Sequence, residues 1–248
     1  MYKLCTLLCL LYCNISMAQQ LEPITADRPD QTESPFTVPK RYIQAEIGCS
    51  YENTRSHSSS ILIPTTLIKY GLTNRLELRL ITELEQAKDV SKTYTGINPV
   101  KIGFKTTLID EKGWIPTIAF LGHLYLAPVA SKQNQLDFYA PAFRLSFEHT
   151  LSSKISLGYN MGAEWDGFTA DPVFLYTLTT GYAISEKLGS FIELYGFMPQ
   201  HDISDHHIDG GLTYLLNNNM MLDVSGGASI DSHSHSYFLS LGFSFRFK

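Results

Sequence analysis

Charged side chains alternate with apolar ones in several segments of this 248-residue chain. In Glu77-Leu-Arg79 and Lys101-Ile-Gly-Phe-Lys105 the charges are two or four residues apart, so they share one face of an extended strand. Such a face can line a water-filled channel that orients a small solute. Alternatively, its charges can pair with one another and fill the interior of the protein. The candidate solute-binding residues are Glu46, Glu77, Arg79, Lys101, Lys105, Arg144, Glu148 and Arg246.

Histidines form a second group with chemical potential, near the C-terminal end of the chain. Imidazole and carboxylate are suitable ligands for a divalent metal. The spacing matches no established metal motif, and a loop rich in His, Ser and Asp is also ordinary solvated surface. The candidate ligands are His201, His206, His207, His233 and His235, with His57, Asp202, Asp205 and Asp231 expected nearby. Whether they bind metal stays open, and no cofactor is predicted.

Catalysis is the third chemistry considered. Asp202, Asp205 and His206 have the residue types for a base with an orienting acid. The chain has no Gly-x-Ser-x-Gly elbow that would supply a nucleophile. We therefore expect a protein that is not an enzyme.

The elements that must position these side chains are strands. In Tyr237–Phe247 every odd position is large and apolar, while Ser240, Gly242, Ser244 and Arg246 occupy even positions. Period-two alternation predicts a strand with a different solvent on each face. Twelve such segments follow the lead: 41–52, 59–72, 75–85, 96–109, 114–127, 138–151, 154–165, 172–184, 188–198, 206–216, 220–231 and 237–247.

The connections alternate between short and long, and every connection after an even-numbered segment is short. This asymmetry is typical of outer-membrane barrels, which have tight periplasmic turns and longer outer loops. The sequence therefore predicts an all-β fold, a transmembrane antiparallel up-and-down β-barrel of about 12 strands with a short N-terminal periplasmic or luminal lead. Within it, Glu77 and Arg79 should adjoin Lys101 and Lys105, and Arg246 should adjoin Glu46 and Asp223.

The N-terminus indicates export. Residues 1–18 combine Lys3, an apolar run and a small-x-small site, Ser16-Met17-Ala18, as in a secretory signal peptide. Its removal changes the net charge from −5 to −6 and takes away Cys5, Cys9 and Cys13, so Cys49 has no partner for a disulfide. We expect a signal peptide at 1–18, a proline-rich lead at 19–40 and the barrel at 41–248.

An acidic exported barrel also defines the expected surroundings. Nucleic acid is excluded as a partner. The expected partners are outer-membrane lipid and lipopolysaccharide, a small-molecule solute, and the barrel-assembly machinery acting through the C-terminal strand. The expected location is the cell outer membrane of a Gram-negative bacterium.

The lead carries a distinctive motif, Asp27-Arg28-Pro29-Asp30. Proline restricts the chain here, and the motif is suited to pairing Arg28 with a carboxylate. Three arrangements remain open: a partial plug folded into the lumen, a tether that closes the sheet, and a flexible tail.

Two stretches resemble a known family of exported bacterial proteins. They are Thr25–Pro35, followed by Val38-Pro39 and Tyr42–Glu46, and the hairpin Tyr70–Arg79. The chain is similar to the family named for the phenol meta-degradation pathway, whose members are described as outer-membrane transporters. The resemblance implies a Gram-negative outer-membrane barrel, and the family name implies aromatic or hydrophobic cargo without establishing it.

We therefore expect passive, narrow or gated passage of small solutes through the barrel. The alternative is a closed barrel that binds a ligand or partner through its outer loops without transport. A soluble secreted β-sandwich is the third interpretation.

Overall fold

The computed structural model describes residues 21–54, 58–88, 92–232 and 235–248. The predicted signal peptide lies outside these residues. Among the described residues, no helix has the length and apolar character to cross a membrane. The strands are β1 (Ile43–Thr54), β2 (Ser58–Gly71), β3 (Leu76–Lys88), β4 (Thr93–Ile97), β5 (Lys101–Ile109), β6 (Thr117–Tyr125), β7 (Ala140–Thr150), β8 (Ile155–Glu164), β9 (Val173–Ala183), β10 (Leu188–Pro199), β11 (Asp205–Asn217), β12 (Met220–Ser229) and β13 (Tyr237–Phe247).

The strands form one closed antiparallel barrel. Sequence neighbours pair around the wall, and the last strand returns to the first, with Ile43 opposite Phe247 and Asn53 opposite Tyr237. Pairing of the first strand with the last leaves neither with an open edge, which a bilayer requires because lipid offers backbone groups no hydrogen-bond partner. The predicted barrel is confirmed.

One predicted strand is interrupted. The segment expected at 96–109 is divided into β4 and β5, which both pair with β3 and together occupy one position in the wall. Pro99 lies in the break and has no N–H to donate to the neighbouring strand. Within the break, Asn98 keeps the chain hydrogen-bonded to β3, because its backbone N–H donates to the Glu83 carbonyl at 2.9 Å. The wall therefore has twelve strands, as predicted.

The two faces of the wall have opposite character. On β13, Leu239 and Leu241 are 61% and 62% exposed, whereas Ser244 is fully buried and Arg246 is 7% exposed. Charged residues are almost never buried without partners in a soluble protein. Here the outer face is apolar and the buried face is polar, which is the arrangement of a lipid-embedded barrel.

The connections define two rims. The turns 72–75, 110–116, 151–154, 184–187 and 218–219 lie at one end of the barrel, which we call the short-turn rim. At the other end, the long-loop rim, the described parts of the connections include 126–139, 165–172, 200–204, 230–232 and 235–236. The predicted alternation of short and long connections is therefore present in the structure.

A charge on the outer face tests whether that face contacts lipid. Leu241 lies near the middle of β13, so Leu241→Arg should lower the free energy of unfolding in phospholipid vesicles by about 2–4 kcal/mol. Leu72, in a short turn and 45% exposed, provides the matched control. Leu72→Arg should cost about 0–1 kcal/mol, because a charge near the interface stays hydrated. Equal losses in denaturant titrations of the two variants would contradict a lipid-facing wall.

Candidate functional site: a lead segment across the lumen

The lead, residues 21–40, enters and leaves the lumen at the short-turn rim. At its start, the Ile24 N–H donates to the Asn218 carbonyl at 2.8 Å, and Arg246 Nη2 donates to the Glu22 carbonyl at 2.7 Å. At its end, the Lys40 N–H donates to Asn74 Oδ1 at 3.3 Å. Because Asn218 and Asn74 belong to short turns, the lead between them is a loop that rises into the barrel and returns.

Asp27 fixes the lead to one side of the wall. Its Oδ2 lies 2.9 Å from Lys69 Nζ and 2.9 Å from Arg79 Nη1, and its Oδ1 lies 2.6 Å from Lys105 Nζ. These cations come from β2, β3 and β5, and Asp27 is only 7% exposed. One carboxylate of the lead therefore joins three neighbouring strands.

Further carboxylates complete this cluster, which we call the ionic anchor. Glu33 of the lead lies 3.0 Å from Arg79 Nη2 and 3.3 Å from Lys105 Nζ. Glu77 lies 3.2 Å from Arg79 Nη1, and Glu46 pairs with Lys69 while accepting the Asp27 and Arg28 N–H groups at 3.0 and 3.1 Å. Buried ions are tolerated only when paired and hydrogen-bonded, so this mutual pairing is a condition for the interior to form.

The lead then reaches the opposite wall through its tip, residues 28–33. The Gln31 N–H donates to Glu193 Oε2 at 2.7 Å, and the Thr32 hydroxyl lies 2.6 Å from that of Thr177 while also bonding Glu193. The Glu33 N–H donates to Asn160 Oδ1 at 2.7 Å. These partners lie on β8, β9 and β10, so the lead spans the lumen between opposite walls.

Arg28 has the carboxylate partner that its motif predicts. Its Nη2 lies 3.0 Å from Asp223 Oδ1 and donates to the Ser240 hydroxyl at 2.8 Å. The guanidinium fits because Gly48 and Gly242, which face each other across β1 and β13, leave space; a Cβ at either position would collide with it. The wall sequence is therefore shaped around this lead residue.

The tip separates cavities at the two rims. A cavity of about 450 Å³ extends from the lead to Ser152 and Lys154 at the short-turn rim. Cavities of about 440 Å³ and 220 Å³ lie on the long-loop side. Arg28, Pro29 and Asp30 line both the short-turn cavity and the larger long-loop cavity, and Asp30 lines all three. Of the arrangements left open by the sequence, the structure contains the luminal one.

The two aspartates of the motif differ in pKa. Burial alone would raise the pKa of Asp27, but the charges of Lys105, Lys69 and Arg79 outweigh it and hold that pKa well below its usual value. Burial raises the pKa of Asp30 well above its usual value, and the neighbouring carboxylates Glu193 and Asp209 raise it further. The cause of the difference is local charge: Asp27 faces cations and Asp30 faces acids.

These shifts give opposite pH dependence. An unfolded aspartate has a pKa of about 3.9, so the Asp27 contribution to docking is present above this pH and is lost only as pH falls through its lowered pKa. For Asp30 the docked pKa is raised, so its contribution is complete below about pH 3.9 and is lost as pH rises through the raised value. Acid therefore weakens the ionic anchor, and base weakens the contact of the tip with β10 and β11.

The structure places all eight predicted solute-binding residues on the inner side of the wall or at its rim. Glu46, Glu77, Arg79 and Lys105 belong to the ionic anchor. Lys101 lies 3.4 Å from Glu83, and Arg144 lies 3.8 Å from Glu164 beside the smaller long-loop cavity. Glu148 lines the short-turn cavity. Their role in binding a solute stays a prediction.

Two predicted adjacencies require correction. Arg246 was expected beside Glu46 and Asp223, but it faces Gln44 in the strand register and donates to Asn218, Asn219 and Glu22 at the short-turn rim. Glu46 is paired with Lys69 and Asp223 with Arg28, so neither has Arg246 as its ion-pair partner. Likewise, Lys105 approaches Glu77 at 4.0 Å as expected, whereas Lys101 lies nearer the long-loop rim and pairs with Glu83.

Lys69 is the main functional residue that the sequence reasoning missed. It is 1% exposed and belongs to the ionic anchor. The alternation of β2 hides it, because the register with β3 shifts between Leu62 and Thr65. Gly71 and Lys69 are two residues apart and face the same side of β2. Alternation assigned from the Gly71 end of the strand, and not across the irregularity, would have placed Lys69 on the inner face.

The rim histidines are dispersed among different partners. His206 Nδ1 lies 3.0 Å from the Tyr176 hydroxyl, His207 pairs with Asp205 at 2.9 Å, and His201 lies 3.9 Å from Asp171. His235 is exposed, while His57 and His233 lie outside the described residues. Within the described ranges, no three His, Cys, Asp or Glu side chains form a group that could hold a metal.

The ionic anchor makes a testable prediction about the lead. Asp27→Ala leaves three buried cations without their shared acceptor, which should weaken docking of the lead by about 3–5 kcal/mol. Hydrogen exchange of the amides in residues 24–36, measured on the folded barrel in vesicles, should accelerate accordingly.

The control is Asp110→Ala, which removes the carboxylate of an exposed pair with Arg75 in a short turn. Exposed pairs contribute little, so exchange in the lead should stay unchanged. Slow exchange in the Asp27→Ala lead would contradict the anchoring role.

The barrel resembles solved outer membrane channels at low sequence identity. An outer membrane channel from Pseudomonas putida F1 superposes with a TM-score of 0.71 at 13% identity, covering 88% of this chain and 100% of that one. The KdgM porin gives 0.56 at 13% identity, with 82% and 99% covered. CymD, described as a monoaromatic hydrocarbon channel, gives 0.50 at 8% identity, with 84% and 88% covered. These similarities establish the fold.

Sequence comparison assigns the family. Among proteins with curated descriptions, none matches this chain in sequence. A family model described as "Putative MetA-pathway of phenol degradation" matches residues 26–247, which include the ionic anchor and every strand of the wall. The resemblance seen in Thr25–Pro35 and Tyr70–Arg79 is thereby confirmed, and the chain belongs to this family.

Proposed function

We propose that this protein lies in the outer membrane and gives small solutes passive passage along a lumen that its own lead narrows. The observation that carries the proposal is the position of Asp30, which lines cavities on both sides of the tip. A single segment of chain separates these cavities. Movement of that segment, without any rearrangement of the wall, would therefore connect the two rims.

The charges along the path favour neutral or cationic solutes. Arg28, Lys101 and Arg144 line cavities beside the tip, and each lies within 4 Å of a carboxylate. Lys154 also lines the short-turn cavity, at its rim. Glu52 and Asp205 line the larger long-loop cavity, and Glu148 lines the short-turn cavity. A path with excess carboxylate repels anions and attracts cations, as rings of acidic side chains do in cation channels.

The larger long-loop cavity supports a small aromatic solute as cargo. The rings of Tyr195 and His207 lie parallel with centroids 4.8 Å apart, and Phe197 meets Tyr195 edge-on at 6.0 Å. Phe238 and Leu62 extend this apolar lining. Aromatic faces suit a flat ring, and the volume of about 440 Å³ is in the range of small-molecule sites. CymD, a monoaromatic hydrocarbon channel of similar fold, is consistent with this class of solute.

The alternatives have less support. A barrel that only binds ligands through its loops is not favoured, because the solved neighbours are channels and porins. A hydrolase is not proposed either. Near the rim, the Ser229 hydroxyl donates to Asp205 Oδ1 at 3.1 Å, while His207 contacts the other oxygen of the same carboxylate. The acid lies between the serine and the histidine, so the imidazole has no contact with the hydroxyl that it would have to deprotonate.

The surroundings of the barrel follow from its wall. We propose lipid and lipopolysaccharide as the partners of the apolar outer face. We also propose that the assembly machinery recognises β13, whose outward residues Phe243, Phe245 and Phe247 form a stacked row ending at the short-turn rim.

Deletion of residues 19–36 tests the role of the lead. In planar bilayers the truncated barrel should conduct several-fold more than the full chain, since the segment between the cavities is gone. Vesicle-swelling assays should show faster entry of a neutral monoaromatic compound. Heat-modifiable gel mobility controls for barrel integrity, and Glu186→Gln, in an exposed turn, controls for a charge change away from the lumen. Unchanged conductance in an intact truncated barrel would remove the proposal.

A further inference from the structure

Three carboxyl groups meet where the tip contacts the wall. Glu193 on β10 and Asp209 on β11 are directly opposite each other in the strand register. Asp30 of the lead faces both, and the adjoining Gln31 and Thr32 bond Glu193. Like charges directly opposite on neighbouring strands destabilise a sheet, so this arrangement needs a compensating partner.

Asp209 has no such partner among the described residues. It is 4% exposed, and neither of its carboxylate oxygens accepts a hydrogen bond. The side chain within hydrogen-bonding reach is the Glu193 carboxyl. Two carboxyl groups can hydrogen-bond only if one of them carries a proton.

The nearby cations are used elsewhere. Arg28 pairs with Asp223 on β12, and Arg144 on β7 pairs with Glu164 and donates to the Gln31 carbonyl at 3.1 Å. A metal is not indicated either, because the described residues form no group of three ligands that could hold one. The cavities that Asp30 lines also contain other titratable groups, which are Asp27, Glu33, Glu52, Glu83, Lys101, His123, Tyr125, Glu148, Lys154, Tyr182, Tyr195, Asp205, His207 and Tyr237.

We propose that Asp30, Glu193 and Asp209 form a proton-operated latch that holds the tip across the lumen when they share protons and releases it when all three ionise. The proposal rests on the proposed function, because it assigns the release of the same segment to a chemical signal. Glu193 supplies the acceptor for the tip backbone, and protons shared with Asp209 and Asp30 remove the repulsion between lead and wall.

The geometry sets the direction of the response. Loss of protons places three negative charges together where Glu193 and Asp209 are almost completely buried, and repulsion between buried charges is stronger than in water. Asp209 and Glu193 belong to wall strands, whereas Asp30 belongs to the lead, which is joined to the wall by side-chain contacts and enters the lumen at the short-turn rim. Rising pH therefore drives the tip away from β10 and β11, and falling pH restores the contact.

Single-channel conductance of the full-length protein tests the latch between about pH 5 and about pH 9. Because docking raises the pKa of Asp30, its ionisation lowers the ratio of docked to released tip, by about tenfold for each pH unit between the released and docked pKa values of Asp30. Conductance should therefore rise by about tenfold as pH increases through this range. The rise is smaller if the path becomes fully open before the upper end of the range.

Two variants isolate the cluster. Asp209→Asn keeps the shape of the side chain, supplies donors to Glu193 and removes a charge, so its conductance should stay low at all pH values. Asp30→Asn should behave in the same way, and Glu186→Gln should keep the wild-type profile. Heat-modifiable mobility verifies that each barrel has folded.

The outcomes separate this inference from the proposed function. If deletion of residues 19–36 raises conductance but the full chain shows no pH dependence, the latch is wrong and the narrowing lead stands. A pH response that persists in both Asp209→Asn and Asp30→Asn would also overturn the latch. If the deletion leaves conductance unchanged, the proposed function itself fails.

Discussion

The interior of this barrel depends on one carboxylate that three cations share. Lys69, Arg79 and Lys105 come from three wall strands, and all are almost completely removed from solvent. Ions buried in this way cost several kcal/mol each unless they are paired. Asp27 adds to the pairing that Glu46 and Glu77 of the wall provide, so docking of the lead stabilises the interior of the barrel.

Lipid explains why the charges are inside at all. A bilayer excludes Lys, Arg, Asp and Glu from the outer face, and an antiparallel strand places every second residue on the other side. A twelve-stranded wall thus concentrates charge in a narrow space. The lead resolves the resulting conflict on one side, at the ionic anchor, by completing the ion pairs. On the other side, where Asp30 meets Glu193 and Asp209, it adds a carboxylate to two others.

Much of the fold could be predicted because each strand has lipid on one face and the polar lumen on the other. Apolar and polar residues therefore alternate with period two in the sequence. This alternation was sufficient to predict the strand Tyr237–Phe247 and the short turns that separate such strands.

Strand register was harder to predict. The order of strands in the wall suggested that Arg246 lies beside Glu46, whereas Arg246 is opposite Gln44 in the register and therefore lies at the rim. Lys69 was missed because an irregularity in β2 changes which positions face inward. The position of the lead has no periodic signal, since it depends on contacts between Asp27 and residues about 40 to 80 positions away in the chain. Only the acid-Arg-Pro-acid motif indicated that it had a fixed partner.

A disulfide between lead and wall tests the central claim, that the lead lies across the lumen, most directly. The Thr32 and Thr177 hydroxyls are 2.6 Å apart, so Thr32→Cys with Thr177→Cys, in a Cys49→Ser background, places two thiols in contact. Oxidation of the membrane-embedded protein should form the bond, shift the mobility of the unreduced protein, and lock conductance at a low value that reduction reverses. Failure of this pair to oxidise in a folded barrel, or a conductance indifferent to the bond, would contradict a lead that spans and narrows the lumen.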